Sequence, residues 1–249
     1  MAYSRRTAVI TGANSGIGVA TARRLAREGY FVWCVACRRD RIQTLAAEIE
    51  GGAVACDITD PLDVERLAEA VGDDLDLLVN NAGAVLELSR VDEASPQQWQ
   101  EMYSLNILGP LRVIQALVPS LIASGNGAIV NVGSTAGHEI HARAGGYAAA
   151  EHALASLTRD LRRELLGQPI RVTEIAPSMV KIEEFSPNRF GCDTEMADAQ
   201  YVGADSPLSV EDIAECITWI ATRPNNVNVD LLVVRPRAEA SRCEAHRVE

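Results

Sequence analysis

The chain has 249 residues, 47% of them hydrophobic and 23% charged, which is ordinary globular composition and enough length for one large α/β domain with a buried core. A formal net charge of −11 and a pI near 4.9 argue against a nucleic-acid partner, while leaving room for a local basic patch that holds one phosphorylated ligand. No apolar stretch is read as reaching the roughly 18 residues of a membrane span, so the expectation is a cytoplasmic protein without a membrane partner.

In chain order, short β-branched runs alternate with longer amphipathic ones. TAVIT comes first, then a helix from about Gly16 to Glu28, FVWCVAC, a helix from about Asp40 to Ile49, AVAC, a helix from about Pro61 to Val71, and LDLLVN. A long helix from about Pro96 to Ala123 follows, then GAIVNVG, a helix from about Tyr147 to Leu166, IRVTEIA, a helix from about Val210 to Thr222, and DLLVVRP. This alternation predicts a doubly wound α/β fold, a seven-stranded parallel sheet with helices on both faces, in a single domain spanning 1–249. The polar segment from about 177 to 207 carries Gly and Pro punctuation and is expected to be a substrate lid. The tail over about 237–249 is expected to be flexible.

The six cysteines are scattered, and the one close pair, Cys34 and Cys37, falls in FVWCVAC with side chains on opposite faces of a strand. It is read as a core strand in a reducing compartment, and no metal site is expected. Of 23 basic residues only Lys181 is a lysine, so no other lysine can stand in for a missing one.

TGANSGIG follows the first strand and opens the first helix, the context a dinucleotide-binding turn requires. Gly12, Gly16 and Gly18 let backbone approach phosphate, and the helix N-terminus offers free N–H groups to the pyrophosphate. The second strand ends in ACRRDR, with Cys37 where a ribose-binding acid would sit. Guanidinium groups there favour a 2′-phosphate, so NADP(H) is expected over NAD(H), with Arg38 as the main contact and Arg39 beside it.

These motifs, with Asp57 in ACDITD, NNAG at Asn80–Gly83, Asn106 in the long helix, Ser134 in NVGSTAG and Tyr147, resemble the classical short-chain dehydrogenase/reductase family over nearly the whole chain. The resemblance implies a cofactor cradle including Asn14, Ser15, Ile17, Asp57 and Ile58, and further along Asn81, Ala82, Gly83, Pro177, Ser178 and Val180. It implies that Asn106 holds a water in a proton relay, Ser134 orients a substrate carbonyl, and Tyr147 exchanges the proton while nicotinamide exchanges a hydride. A carbonyl becoming an alkoxide needs such a donor and such an acid. The segment from Ile170 through the lid is similar to NADP-dependent 3-hydroxy acid dehydrogenases acting on serine or allo-threonine, with Arg189 as a candidate carboxylate contact. Small-molecule substrates and a homodimer or homotetramer are implied.

The family's tyrosine is followed four residues later by a lysine that favours phenolate and donates to the nicotinamide ribose. Here Glu151 stands in that place, on the same helical face as Tyr147 and within reach of the same ribose hydroxyls. Its charge is expected to disfavour phenolate and to harm alcohol oxidation more than carbonyl reduction. Ser178 replaces the family's glycine and Ile182 its threonine. Lys181 and His138 are candidate substitute cations; His152 points about 100° away from Glu151 and is a poor one. A non-redox NADP-binding protein, or a lyase or isomerase with Glu151 as general base, are the competing readings.

Overall fold

The computed structural model describes residues 5–139, 143–181 and 206–241 and the backbone of 244–245. Seven strands form one sheet: β1 (Thr7–Thr11), β2 (Phe31–Ala36), β3 (Gly52–Ala55), β4 (Leu77–Asn80), β5 (Gly127–Val132), β6 (Ile170–Pro177) and β7 (Leu231–Val234). Their order is β3-β2-β1-β4-β5-β6-β7, and each neighbouring pair is parallel. The chain reverses its direction of travel across the sheet between β1 and β4, which opens a crevice at the carboxyl ends of these strands.

Side chains alternate along each strand and so divide the core in two. Ile10, Cys34, Leu77 and Val79 face one layer with Leu25 of helix α1 (Gly16–Arg27), Ile42 of α2 (Arg39–Glu48) and Ile217 of the last helix. Val9, Val35 and Leu78 face the other, with Leu67 of α3 (Pro61–Val71) and Val113 and Leu117 of the long helical run. Local signals set the helix starts: Pro61 and Pro96 stand in first turns, and the Asp60 and Ser95 side chains accept from Leu62 N–H and Gln98 N–H. At the last helix, α7 (Val210–Ala221), Ser209 and Asp212 close a capping box.

Three expectations change. The helix expected over 96–123 is α4 (Pro96–Tyr103), a π-turn at Ser104–Leu108 and α5 (Gly109–Ala123). The cause is Pro110, which has no N–H to give to the carbonyl of Asn106, so the regular ladder is interrupted there. The continuous run Pro96–Ala123 also has the length and apolarity to cross a membrane, contrary to the reading of the sequence. Its apolar side is covered by the sheet, where Val113, Ile114, Leu117 and Leu121 are buried, and this is the signature of a core helix. Finally, the tail is ordered in part: β8 (Glu239–Ser241) pairs antiparallel with β9 (Glu244–Ala245), and Glu239 is buried.

Helix α6 (Gly145–Glu164) begins two residues before the expected Tyr147. A buried polar chain fixes it to the sheet. Asn80 Nδ2 on β4 donates to Asn131 Oδ1 on β5 at 3.0 Å, and Asn131 Nδ2 donates to Thr158 Oγ1 on α6 at 2.8 Å. Gly146 brings α6 and α4 together, because a Cβ there would stand 2.5 Å from Met102 Cε.

Candidate active site

At the crevice lies a cavity of about 570 Å³, within the range of cofactor and ligand pockets. The turn after β1 forms its floor. Gly12 has φ of +69°, and a Cβ on it would lie 2.8 Å from Asn81 Nδ2 and 2.9 Å from Ala82 Cα. Asn81 explains the closeness, donating from Nδ2 to the carbonyls of Thr11 (3.0 Å) and Gly12 (3.4 Å). Thr11 Oγ1 in turn accepts from Asn81 N–H and Ala82 N–H. Gly16, Ile17, Ala82 and Gly83 complete this part of the lining.

Ser15 is the N-cap of α1, and its side chain does not cap the helix, so the first-turn N–H groups face the cavity with the positive end of the helix dipole. Gly18 does not line the cavity. A Cβ there would fall 2.3 Å from the Gly12 carbonyl oxygen, so its role is to let α1 close onto the turn. Gly18→Ala is expected to cost about 1–3 kcal/mol of stability by overpacking, read as a lowered Tm with unchanged secondary structure.

At the far rim, Arg38 Nη2 donates to Ser15 Oγ at 3.2 Å, and the Asn14 side-chain oxygen, with its amide turned to suit, accepts from the same guanidinium. Cys37 also lines the rim and is exposed, not a core residue, because β2 ends one residue earlier. Arg39 lies away from this cavity, beside a smaller one of about 270 Å³ between α2 and β3. Asp57 and Ile58 line the rim opposite; Asp57 Oδ1 accepts from Thr59 N–H and Oγ1.

The other end of the cavity gathers Ser134, Tyr147 and Glu151. Ser134 follows β5, and its Oγ accepts from Ala136 N–H at 3.1 Å, leaving the hydroxyl hydrogen for another acceptor. Tyr147 and Glu151 reach the same cavity from consecutive turns of α6, and the Tyr147 hydroxyl donates to the Glu151 carboxylate. Glu151 is only 5% exposed. Burial, reinforced by the negative charge of Glu174, pushes its carboxyl up to about 8, against the opposing Tyr147 hydrogen bond. This shift favours the neutral acid over the charge expected from the sequence.

Asn106 is brought to Gly83 and Ala84 instead of the cavity lining. Its Nδ2 donates to the Ala84 carbonyl and its Oδ1 accepts from Ala84 N–H, both at 2.9 Å. Pro177, Ser178 and Val180 close the cavity from β6 onward. Ser178 Oγ donates to Glu239 Oε1 at 2.5 Å, which ties the tail to the site. Arg235 pairs with both Glu139 and Glu239. The base of the expected lid is closed by a bridge between Val180 and Leu208, while 182–205, including Ile182 and Arg189, lies outside the described residues.

Of the candidate cations, Lys181 is exposed and outside the lining, and His152 Nδ1 is occupied by the Ala148 carbonyl. His138 sits 2.7 Å from Glu174. Glu174 and Glu239 were missed in the sequence, although a carboxylate in the middle of the apolar run IRVTEIA is a signal that a buried polar group is held there for a reason.

Comparison with known proteins accords with this geometry. The family model for short chain dehydrogenase matches residues 6–189. An uncharacterized oxidoreductase of Mycobacterium tuberculosis is 51% identical over 246 residues, 98% of this chain and 97% of that protein. A serine 3-dehydrogenase of Agrobacterium fabrum is 37% identical over 235 residues, covering 92% and 93% of the two chains. Among solved structures, the closed form of a serine dehydrogenase complexed with NADP+ superposes with a TM-score of 0.90 at 30% identity, covering 97% of this chain and all of that one. A doubly wound sheet with a glycine turn at its switch point, and a serine and a helical tyrosine across the same cavity, thus coincide with similarity along nearly the whole length. The chain belongs to the short-chain dehydrogenase family of oxidoreductases.

Proposed function

We propose that the protein is an NADPH-dependent reductase of small carbonyl compounds, of the kind whose reduced form is a 3-hydroxy acid. The observation that carries this reading is the cavity that brings Ser134, Tyr147 and Glu151 together, with burial raising the Glu151 carboxyl so that a proton is held where a donor is needed. A serine dehydrogenase with bound NADP+ as a structural neighbour supports the cofactor and substrate class.

The cavity residues fit the cofactor. The uncapped first turn of α1 suits a pyrophosphate, glycine backbone stands where a Cβ would collide, and Arg38 stands at the rim where β2 ends in Cys37 instead of an acid. When bound, NADPH supplies the hydride. Ser134 donates its free hydroxyl hydrogen to the substrate oxygen and orients it. With substrate bound, the Tyr147 hydroxyl turns its hydrogen from Glu151 to that oxygen, accepts from the protonated Glu151 in exchange, and gives up its proton as negative charge develops. Glu151 then returns a proton to Tyr147 across their hydrogen bond. In the oxidative direction Tyr147 must accept a proton beside a site already holding one, which disfavours alcohol oxidation at neutral pH.

Titration of the purified protein with NADPH and NADH, followed in the same cuvette by small aldehydes and ketones including malonic semialdehyde, tests the reading. NADPH oxidation that depends on the carbonyl supports it; tight NADPH binding without oxidation over the whole panel contradicts it. Arg38→Ala is expected to weaken NADPH by about 10- to 100-fold, the value of one charge-assisted contact, and to leave NADH unchanged. Equal losses for both cofactors would remove the 2′-phosphate assignment.

A further inference from the structure

Glu151 is one of two carboxylates buried behind Tyr147. Glu174 is carried on β6, with its side chain 4% exposed, and its Oε1 lies 2.7 Å from His138 Nε2. The His138 side chain is 19% exposed, so this imidazole is the end of the group that meets solvent. Gly133 at the end of β5 makes the arrangement possible: a Cβ there would stand 3.1 Å from Glu174 Oε1 and 3.4 Å from Glu151 Oε2. Glu151 Oε2 is fully buried and has no hydrogen-bond partner among the described residues. An orphaned buried oxygen is costly, and Glu151 Oε2 and Glu174 Oε1 both border the space that a Cβ on Gly133 would fill.

Among the described residues, few other charged groups face Glu151. On the side of α6 facing α4 and the π-turn, the contacts are Trp99, Met102 and Ile107, none of them charged. From β6 comes Glu174, from the 3-10 turn (Thr135–Gly137) and its exit His138, and from α6 itself Tyr147. Glu139, Arg235 and Glu239 form a separate group in which the arginine pairs with both acids.

We propose that Glu151, Glu174 and His138 form a proton path from solvent to Tyr147, which crosses between the two carboxylates at the space left open by Gly133. The proposal rests on the reductase reading. In each turnover the substrate carbon gains a hydride from NADPH and its oxygen gains the Tyr147 proton. The Tyr147 oxygen is reprotonated by Glu151, Glu151 by Glu174, and Glu174 by His138, which takes a proton from water. One carbonyl, one NADPH and one solvent proton give one alcohol and one NADP+, and the path ends as it began. Glu174 and His138 are positioning residues that act through Glu151, since neither lines the cavity.

The test measures carbonyl-dependent NADPH oxidation across pH for the full-length wild type, Glu174→Gln and His138→Ala, the last with and without added imidazole. Alongside, the infrared C=O band of protonated carboxyl is followed in each protein over the same pH range. Glu174→Gln is expected to lower kcat by at least about tenfold with KM unchanged, and to move the alkaline fall in rate and the loss of the infrared band to lower pH. His138→Ala is expected to lose kcat similarly and to recover with imidazole. A purely structural role for these residues would change stability or KM but not the pH limb or the rescue. Wild-type kcat and pH profile in both variants, or an infrared band unmoved by Glu174→Gln, overturns the path. If Glu174→Gln does not fold, rescue of His138→Ala decides alone. A wild type that binds NADPH and reduces no carbonyl, but whose infrared band moves in Glu174→Gln, overturns the reductase reading and the path together and leaves only the paired carboxylates standing.

Discussion

Glu151→Gln is expected to make the protein more stable than the wild type at alkaline pH, with a margin that disappears in mild acid. The folded protein holds the Glu151 carboxyl at about 8 against an ordinary value of 4.5. Between those values the native state keeps a proton that the unfolded chain has released, so wild-type stability falls as pH rises through this window. Below it both states are protonated and the cost is absent; above it the full cost of a buried charge beside Glu174 is present. At 1.36 kcal/mol per unit, the difference at pH 9 is on the order of 4 to 5 kcal/mol. For a chain of this size that corresponds to roughly 10 °C or more in Tm. Glutamine keeps the shape and can donate where the carboxylate cannot. Melting curves of the two proteins at pH 5, 7 and 9 check this, and parallel curves with a constant offset would show that Glu151 does not carry a proton into the alkaline range.

Tyr147→Phe is expected to lower carbonyl reduction by about 10²- to 10⁴-fold, the usual value of a positioned general acid. The ring that packs at the start of α6 is kept, so NADPH affinity is expected to change little. The variant also removes the hydrogen bond that favours the charged form of Glu151, so its alkaline instability should deepen relative to wild type. Initial rates and a cofactor titration on one preparation check both. A loss of less than about threefold would mean that the substrate oxygen takes its proton from elsewhere.

Periodicity and turn chemistry made the sheet legible from sequence. All seven strands lie on the short apolar runs read from the sequence, and the glycine turn, Ser134 and Tyr147 share one cavity as the family resemblance implied. Other features depend on contacts between distant segments. The π-turn at Asn106 follows from Pro110, a local signal that the apolar pattern of the surrounding helix conceals. The raised carboxyl of Glu151 could not be read from α6, because it is set first by burial among distant segments and then by Glu174 on a different strand. The tail looked merely polar, yet Glu239 folds back to accept from Ser178.

The central claim is that a neutral Glu151 behind Tyr147 serves proton donation during carbonyl reduction. It is tested most directly by the rate of carbonyl-dependent NADPH oxidation as a function of pH. The expected result is a rate sustained through neutral pH that falls as pH rises past about 8, where Glu151 loses its proton. A rate that climbs through this range, or no oxidation at any pH in a folded protein with NADPH bound, would contradict it.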